Sequence, residues 1–488
     1  MKRRLKHLLM ISLAALMILC TIVAARSQLS SSKQVEVPRL PVLKIRDGAP
    51  ERLARAVRFK TISDTDPDKM DMRVFADFQQ DLVAQFPAAH AAMRRQMVEP
   101  CSVVYRWGPA SKSPTVLMAH MDVVPVEDDK LSEWTQAPFS GAIVDGYIWG
   151  RGTLDDKIGV VGLLEAADHL AASGFTPKNE VVFVFGCDEE VGGNLGAGRI
   201  SKTFEAAGIT PRWVLDEGHI IGDGFFPGVI KPIAFIGLAE RGFVTVELHV
   251  EAEGGHSSMP PPHTAVGVLA RAISRLEANP MSPRMNSPIR SSFEYIAPEM
   301  SYPNRAVFSN LWLFEPLVLK ILAAKQSTNA TIRTTAAATV FKGGVRDNVL
   351  PKSAVAQVNF RVNPGQSIAD VTEHIREVVD DPTVEIRVPT GGFNSEPSPV
   401  SSLDGVGYST LRSSIGSVWG DDVIVAPGLT IGGTDSRHMV PLGSDIYRFS
   451  PLELTPQDTP RIHGVDERIS VENYQRAVAF YVALIQSL

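Results

Sequence analysis

One stretch constrains this chain more than any other. The apolar run Val116-Leu117-Met118-Ala119 passes directly into His120-Met121-Asp122 and ends at Val123-Val124-Pro125. It reads as a rigid buried strand with an imidazole and a carboxylate at its C-terminal mouth. Side chains alternate faces along a strand, so His120 and Asp122 point the same way. A carboxylate two residues on can take the second ring N–H, which fixes the tautomer and makes the other nitrogen a better metal ligand. A structural histidine with its hydrogen bonds satisfied would look the same. The meaning of the pair depends on what else converges on that strand end.

Strands and helices alternate on either side of it. Apolar spacing predicts helices over 51–58, 72–86 and 158–172, and strands over 103–107, 115–121, 180–185 and 213–215. Asp145-Gly146, between two apolar runs, predicts a hairpin. This is the pattern of an α/β fold, a sheet covered by helices. From about residue 242 the pattern changes. Val244, Val246, Leu248 and Val250 alternate with polar residues, and 354–362 does the same, as in a sheet with one face open to water. Helices are expected over 264–276 and 368–379, and a strand over 384–388. A smaller α+β domain, 242–392, is therefore expected to be inserted between the two parts of the first, 45–241 and 393–488. Within the insert, 280–339 shows little pattern apart from the apolar stretch 311–324. Past 397, a helix over 403–414, a strand over 423–425 and the loop Gly432-Gly433-Thr434-Asp435, opening another helix, lead to a final helix from 471, N-capped by Ser470.

Four more places carry related chemistry. Asp155 and Asp156 stand just before the helix 158–172, where N-capping would account for one of them. Asp188-Glu189-Glu190 closes the strand 180–185; three acids there repel one another and lose hydration unless a cation is present. Asp216-Glu217 closes the next strand, and His463-Gly464-Val465-Asp466-Glu467 precedes the last helix. A solvated acidic turn explains each one alone. Ligand sites in open α/β sheets lie beyond the carboxyl ends of the strands, and His120, Glu189/Glu190 and Asp216 all fall there. Mixed histidine and carboxylate ligands suit zinc. Two histidines and three carboxylates are too many for one catalytic zinc with an open position, and suit two zincs sharing a carboxylate.

Lys2, Arg3, Arg4 and Lys6 precede an apolar run from Leu8 to Ala25, broken by Ser12 and Thr21. Residues 1–25 read as a secretory signal peptide or an uncleaved signal-anchor, and 26–44 as a linker, with the bulk of the chain outside the cytoplasm. Cys20 lies in the apolar run; Cys101 and Cys187 do not indicate a disulfide framework. The acids around Cys187 disfavour its thiolate and so a nucleophilic role. The net charge of −6, with no basic stripe, excludes a nucleic-acid partner.

In these motifs the chain resembles the co-catalytic zinc exopeptidases and amidohydrolases: aminoacylase, acetylornithine deacetylase, succinyl-diaminopimelate desuccinylase, glutamate carboxypeptidase and Gly-X carboxypeptidase. The matching stretches are 118–125, 150–157 and 188–193, with Gly255-His256-Ser257-Ser258, Asn348-Val349-Leu350-Pro351, Gly432-Gly433-Thr434-Asp435 and 463–467. The resemblance implies a mixed-sheet catalytic domain with an inserted, dimerisation-type lid. It implies one zinc on His120, Asp155 and Asp216 and another on Asp155, Glu190 and His463, with a cis Asp155–Asp156 peptide. Glu189 would be the general base, Asp122 the partner of His120, and His256 the oxyanion donor. Asn348, Arg361 and the Gly432-Gly433 backbone would hold the substrate carboxylate. The hydrophobic N-terminus and long lid elaboration look most like the Gly-X carboxypeptidase branch, which includes secreted enzymes acting on N-fatty-acyl amino acids. The implied substrate is a short peptide or an N-acyl amino acid, and the implied assembly a monomer or a homodimer. A catalytically silent metal- or peptide-binding protein on the same fold is the alternative, which loss of Glu189 or a ligand would have favoured; none is missing.

Overall fold

The computed structural model describes every residue except Met1, Val42, Lys44, Pro227 and 390–392. The boundaries expected at Lys44 and Gly392 lie outside the described residues. Thr115–His120 is wholly buried near the middle of a mixed sheet that has ten strands among the described residues. It pairs in parallel with Val181–Gly186 on one side and Trp213–Asp216 on the other. His120 lies opposite Gly186, so the three strands end at a common edge. Ser102–Trp107 extends the sheet antiparallel to Val181–Gly186, and Ile446–Arg448 extends it parallel to Trp213–Asp216. Farther out, Ile233–Glu240 pairs in parallel with Ile424–Thr430.

Alternation along the central strands gives the sheet two cores. Leu117, Phe183 and Leu215 bury against the helices Lys157–Ala172 and Val471–Gln486. Val116, Val184 and Val214 face the helix Ala197–Ala206. Lys157–Ala172 is apolar on nearly every side because it is buried on nearly every side. Gly174, at φ 79°, supplies the left-handed residue that ends it. The Ser470 hydroxyl accepts the Asn473 N–H at 3.1 Å and starts the last helix.

A second, four-stranded antiparallel sheet has the order Thr335–Gly343, Ser353–Val362, Gly242–Glu251, Val384–Arg387. Its two long central strands alternate buried and half-buried residues, as the half-solvated pattern requires. Ala265–Ala278 and Ile368–Val379 cover one face and close a separate core. The chain enters this sheet at Arg241. The Arg241 guanidinium donates to the Arg361 carbonyl at 2.6 Å, the Thr335 hydroxyl at 2.7 Å and the Arg333 carbonyl at 3.3 Å. One buried cation thus ties two strands of the second sheet to the crossing point.

The unpatterned stretch resolves into Ser287–Ile296, Tyr302–Phe308, Leu311–Ala323 and Gln326–Ile332, then the strand Thr335–Gly343. Ser287–Ile296 packs on the large sheet: Ser292 Oγ donates to the Pro427 carbonyl at 2.6 Å, and Ile296 joins the large core. Thr335–Gly343 is an edge strand exposed along most of its length, so no inside–outside alternation marks it. Ile233–Glu240 was hidden for the opposite reason, since burial on both faces removes the period of two. The segment expected as a linker adheres to the body. The Gln34 amide brackets Val425, donating to its carbonyl at 3.2 Å and accepting its N–H at 2.8 Å.

Cys101 and Cys187, which gave no indication of a disulfide framework in the sequence, form a disulfide. Val103 lies opposite Phe185 in an antiparallel pair, so two residues farther on Cys101 faces Cys187. That register exists only in the folded sheet. The two cysteines stand 86 positions apart, and closing such a loop stabilises by about 4–5 kcal/mol in the chain-entropy account. Replacing both cysteines with serine is expected to lower the unfolding free energy by about 2–5 kcal/mol, read from urea melts.

Candidate metal centre and substrate cleft

Asp122 organises the strand end. His120 Nδ1 lies 3.0 Å from the Asp122 carbonyl and 3.3 Å from Oδ1, which leaves Nε2 facing outward. The same carboxylate accepts the Glu189 and Glu190 N–H groups at 3.1 Å each and the Ser63 hydroxyl at 2.7 Å. One buried carboxylate therefore fixes both the imidazole and the acidic turn beside it. Burial would raise the Asp122 pKa; its bonds from His120 and Ser63 hold it below the usual range.

Asp155 stands at the centre, and its peptide bond to Asp156 is cis, as the resemblance implied. Asp155 Oδ1 is 2.9 Å from His120 Nε2, and Oδ2 is 2.9 Å from His463 Nε2. His463 Nε2 is also 3.2 Å from Glu190 Oε1, and His120 Nε2 is 3.5 Å from Glu217 Oε1. Two lobes form, sharing Asp155. Donor atoms on one tetrahedral metal, each ~2.0–2.2 Å from it, stand roughly 3–3.5 Å apart, close to these spacings. Ligand atoms of His120, Asp155 and Glu190 lie within 4.8 Å of one another, as do those of His120, Asp156 and Glu217.

The expectation for Asp216 is corrected. Its carboxylate accepts the Ser436 N–H at 2.6 Å, on the face of the strand that Val214 shares. Glu217 lies just past the strand's last residue, where the chain leaves the sheet, and its carboxylate enters the cleft. The adjacent acids give no sequence signal for which of them turns inward.

The donor set fits a cation. Asp155, Asp156, Glu189, Glu190 and Glu217 crowd two imidazoles, and the buried Glu190 Oε1 makes no hydrogen bond. Burial raises Asp156 and Glu189 well above the carboxylate range and Glu217 to about 8, with neighbouring acids adding to each. Asp155 and Glu190 raise His463 to about 10. Burial opposes the same rise at His120, but Asp122, Asp155 and Glu217 outweigh it. Without a metal, protons on the histidines supply the missing positive charge.

A second buried pair joins the ligand loops. Arg151 Nη1 contacts Glu467 Oε2 at 2.5 Å, and Arg151 Nη2 donates to the His463 carbonyl at 2.9 Å. Glu467 Oε1 accepts the Gly152 and Leu154 N–H groups at 2.9 Å each. The turn that presents Asp155 is thus locked to the loop that presents His463. His463 itself holds a left-handed backbone, φ 59°, which a non-glycine residue keeps only where its surroundings impose it.

Beside the carboxylates opens a cleft of about 570 Å³. Glu189, Arg361, Gly432 and Gly433 line it as expected, together with Arg437, Phe243 and Phe393, which sequence reasoning missed. Arg361 lies over Phe243 and Arg437 over Phe393, with Arg437 Nη1 4.0 Å from Glu189 Oε1. No motif announced Arg437; only the turn after the Gly-rich loop brings it in. His256 and Asn348 do not line this cleft, which corrects their expected place within one chain. They lie on an exposed two-stranded ribbon, where His256 is opposite Val349 and the Ser257 N–H donates to the Asn348 carbonyl at 3.2 Å.

Two outcomes are expected. Metal uptake must displace the protons on His120 and His463. It should therefore release protons and weaken steadily as pH falls below about 10, measured by calorimetry in buffers of different ionisation enthalpy. Glu217→Gln should lower metal affinity sharply and Asp216→Asn should not, while Glu467→Ala should cost about 10–100-fold by loosening two ligand loops at once.

Comparison with known proteins agrees with this geometry. Residues 116–487 match the model of peptidase family M20/M25/M40. The "Probable carboxypeptidase S-like 2" of Dictyostelium discoideum is 43% identical over 443 residues, covering 90% of this chain and 84% of that protein. The "N-fatty-acyl-amino acid synthase/hydrolase PM20D1" of Xenopus tropicalis is 40% identical over 445 residues, covering 90% and 85%. The M20 family metallo-carboxypeptidase Sso-CP2 from Sulfolobus solfataricus shares the fold, with a TM-score of 0.66 at 20% identity over 90% of this chain and 99% of that one.

Proposed function

The chain belongs to peptidase family M20/M25/M40 and is a metal-dependent hydrolase of amide bonds; from that premise we propose that it cuts the amide bond next to a free carboxylate, using two zinc ions. The observation that carries this reading is Asp155, with each oxygen 2.9 Å from the Nε2 of a different histidine. His120, Asp155 and Glu217 would hold one ion, and Asp155, Glu190 and His463 the other. Bound there, the ions would supply positive charge that polarises the scissile carbonyl and lowers the pKa of water towards ~7.

The protein's own groups do the rest. Glu189 lines the cleft beside Asp155 and Glu190, where a carboxylate is placed to act as the general base. It takes a proton from the attacking water as oxygen bonds to the carbonyl carbon. It returns that proton to the amine nitrogen as the C–N bond breaks. Arg361 and Arg437 place two positive charges in the cleft beside the Gly432-Gly433 loop, which suits the substrate's carboxylate. The second sheet carries Arg361 and Phe243, so it acts as a lid whose closure completes the site. His256 and Asn348 take part only if a second copy of the chain brings them to this cleft, as in a homodimer. The disulfide and the apolar N-terminal helix support a site of action outside the cytoplasm.

The full chain, loaded with zinc, is to be assayed against Gly-X peptides, N-acetyl and N-long-chain-acyl amino acids, and their methyl esters. Cleavage of free acids but not of esters is expected, and the preferred acyl side names the branch. Glu189→Gln should lose about 10²–10⁴-fold in rate while keeping two zincs by elemental analysis. Equal cleavage of acids and esters would remove the carboxylate requirement, and full activity in Glu189→Gln would remove Glu189 as base.

A further inference from the structure

The helix Leu311–Ala323, sequence LWLFEPLVLKILA, belongs to none of the machinery above. One side is buried through Leu311 and Val318, which pack with Phe293. The rest of its surface leaves Trp312 at 53%, Leu317 at 50% and Ile321 at 60% exposed; Leu317 and Ile321 are neighbours four residues apart, Trp312 lies around the helix from them in the first turn, and the exposed Lys320 falls between. Large exposed apolar side chains gathered on one short helix mark an interaction surface.

A second feature says what covers it. The N-terminal helix Lys2–Leu29 is long and apolar enough to cross a membrane. Its last turns are fixed to the body beside these exposed side chains. Ser27 is fully buried, and Asn310 Nδ2 donates to Ser27 Oγ at 3.2 Å and to the Val23 carbonyl at 3.3 Å. Asn310 immediately precedes the helix 311–323, and its Oδ1 accepts the Trp312 indole N–H at 3.1 Å. Downstream, Lys33 pairs with Glu294 at 3.1 Å and Gln34 brackets Val425, so the span cannot swing away from this face.

We propose that Leu311–Ala323 lies in the surface of the same lipid bilayer that the N-terminal helix spans, with Trp312, Leu317 and Ile321 among the lipids. The point where the span leaves the membrane is pinned to Asn310, which places the lipid surface at the start of the helix. A tryptophan whose N–H is bonded inward while its ring stays open suits the headgroup boundary, and Lys320 beside Leu317 and Ile321 can extend its ammonium from an interfacial helix to the headgroups. Lys2, Arg3, Arg4 and Lys6 at the far end of the span leave the body on the non-cytoplasmic side. The proposal rests on the N-terminal helix being retained, and not on the hydrolytic reading of the cleft.

The chain's tryptophans allow a direct test. Trp107, Trp134, Trp149, Trp213 and Trp419 are all buried, so Trp312 is the exposed one. The full chain is reconstituted into phosphatidylcholine–phosphatidylglycerol vesicles with and without brominated acyl chains. The portion of the emission that Trp312→Phe removes should be quenched by the brominated lipid. The double variant Leu317→Glu, Ile321→Glu should lose that quenching while keeping its melting temperature and staying in the vesicle fraction through the anchor. Unquenched Trp312 emission in inserted protein would overturn the proposal. So would self-association of the inserted protein that the double variant abolishes, which makes these side chains a protein contact. Recovery from the source cell of a chain that begins after residue 25 would overturn it as well.

Discussion

Two imidazoles from opposite ends of the chain meet on the two oxygens of one carboxylate, and the rest of the structure is arranged to keep them there. His120 comes from the end of the strand Thr115–His120 and His463 from a loop just before the last helix; Asp155 stands between them. Such a cluster is costly in a protein interior. Its carboxylates repel one another and are partly stripped of water, which is why burial raises Glu189, Asp156 and Glu217. Protons or metal ions must supply the balancing charge, and a site built this way is poised to bind cations.

Keeping such a cluster assembled takes a supporting shell, and three buried carboxylates provide much of it. Asp122 holds the His120 ring and the 189–190 turn from beneath. Glu467 and Arg151 lock the Asp155 turn to the His463 loop. Glu240 accepts the Thr434 N–H at 3.1 Å and Arg448 Nε at 3.1 Å, steadying the end of the Gly-rich loop. The disulfide adds a covalent tie just before Asp188-Glu189-Glu190. Each support joins segments distant in the chain, so the site is held by the fold and not by any local motif.

The two sheets divide the work. The large one fixes the ligands at its strand ends, while the small one carries Phe243 and Arg361 to the cleft's rim. Arg241 marks the crossing, tying the second sheet where the chain leaves the first. The helices of 287–332 lie within the expected lid range, yet Ser287–Ile296 is fastened to the large sheet. The exposed helix beyond it is positioned by the body's packing and by the docked N-terminal span.

The sequence by itself determined the strand-and-helix alternation, the half-solvated second sheet and the presence of His120, Asp155, Glu190 and His463 as candidate ligands. These were legible because apolar periodicity is local, and because acids that close buried strands stand out against it. Tertiary structure alone decided that Glu217 and not Asp216 enters the cleft, since that depends on where the chain leaves the sheet. It alone paired Cys101 with Cys187, through a strand register. It brought Arg437 into the cleft and kept His256 and Asn348 out, because a loop's landing place is set by the surfaces it packs on. Local pattern fixes which residues can do the chemistry; long-range packing fixes which of them meet.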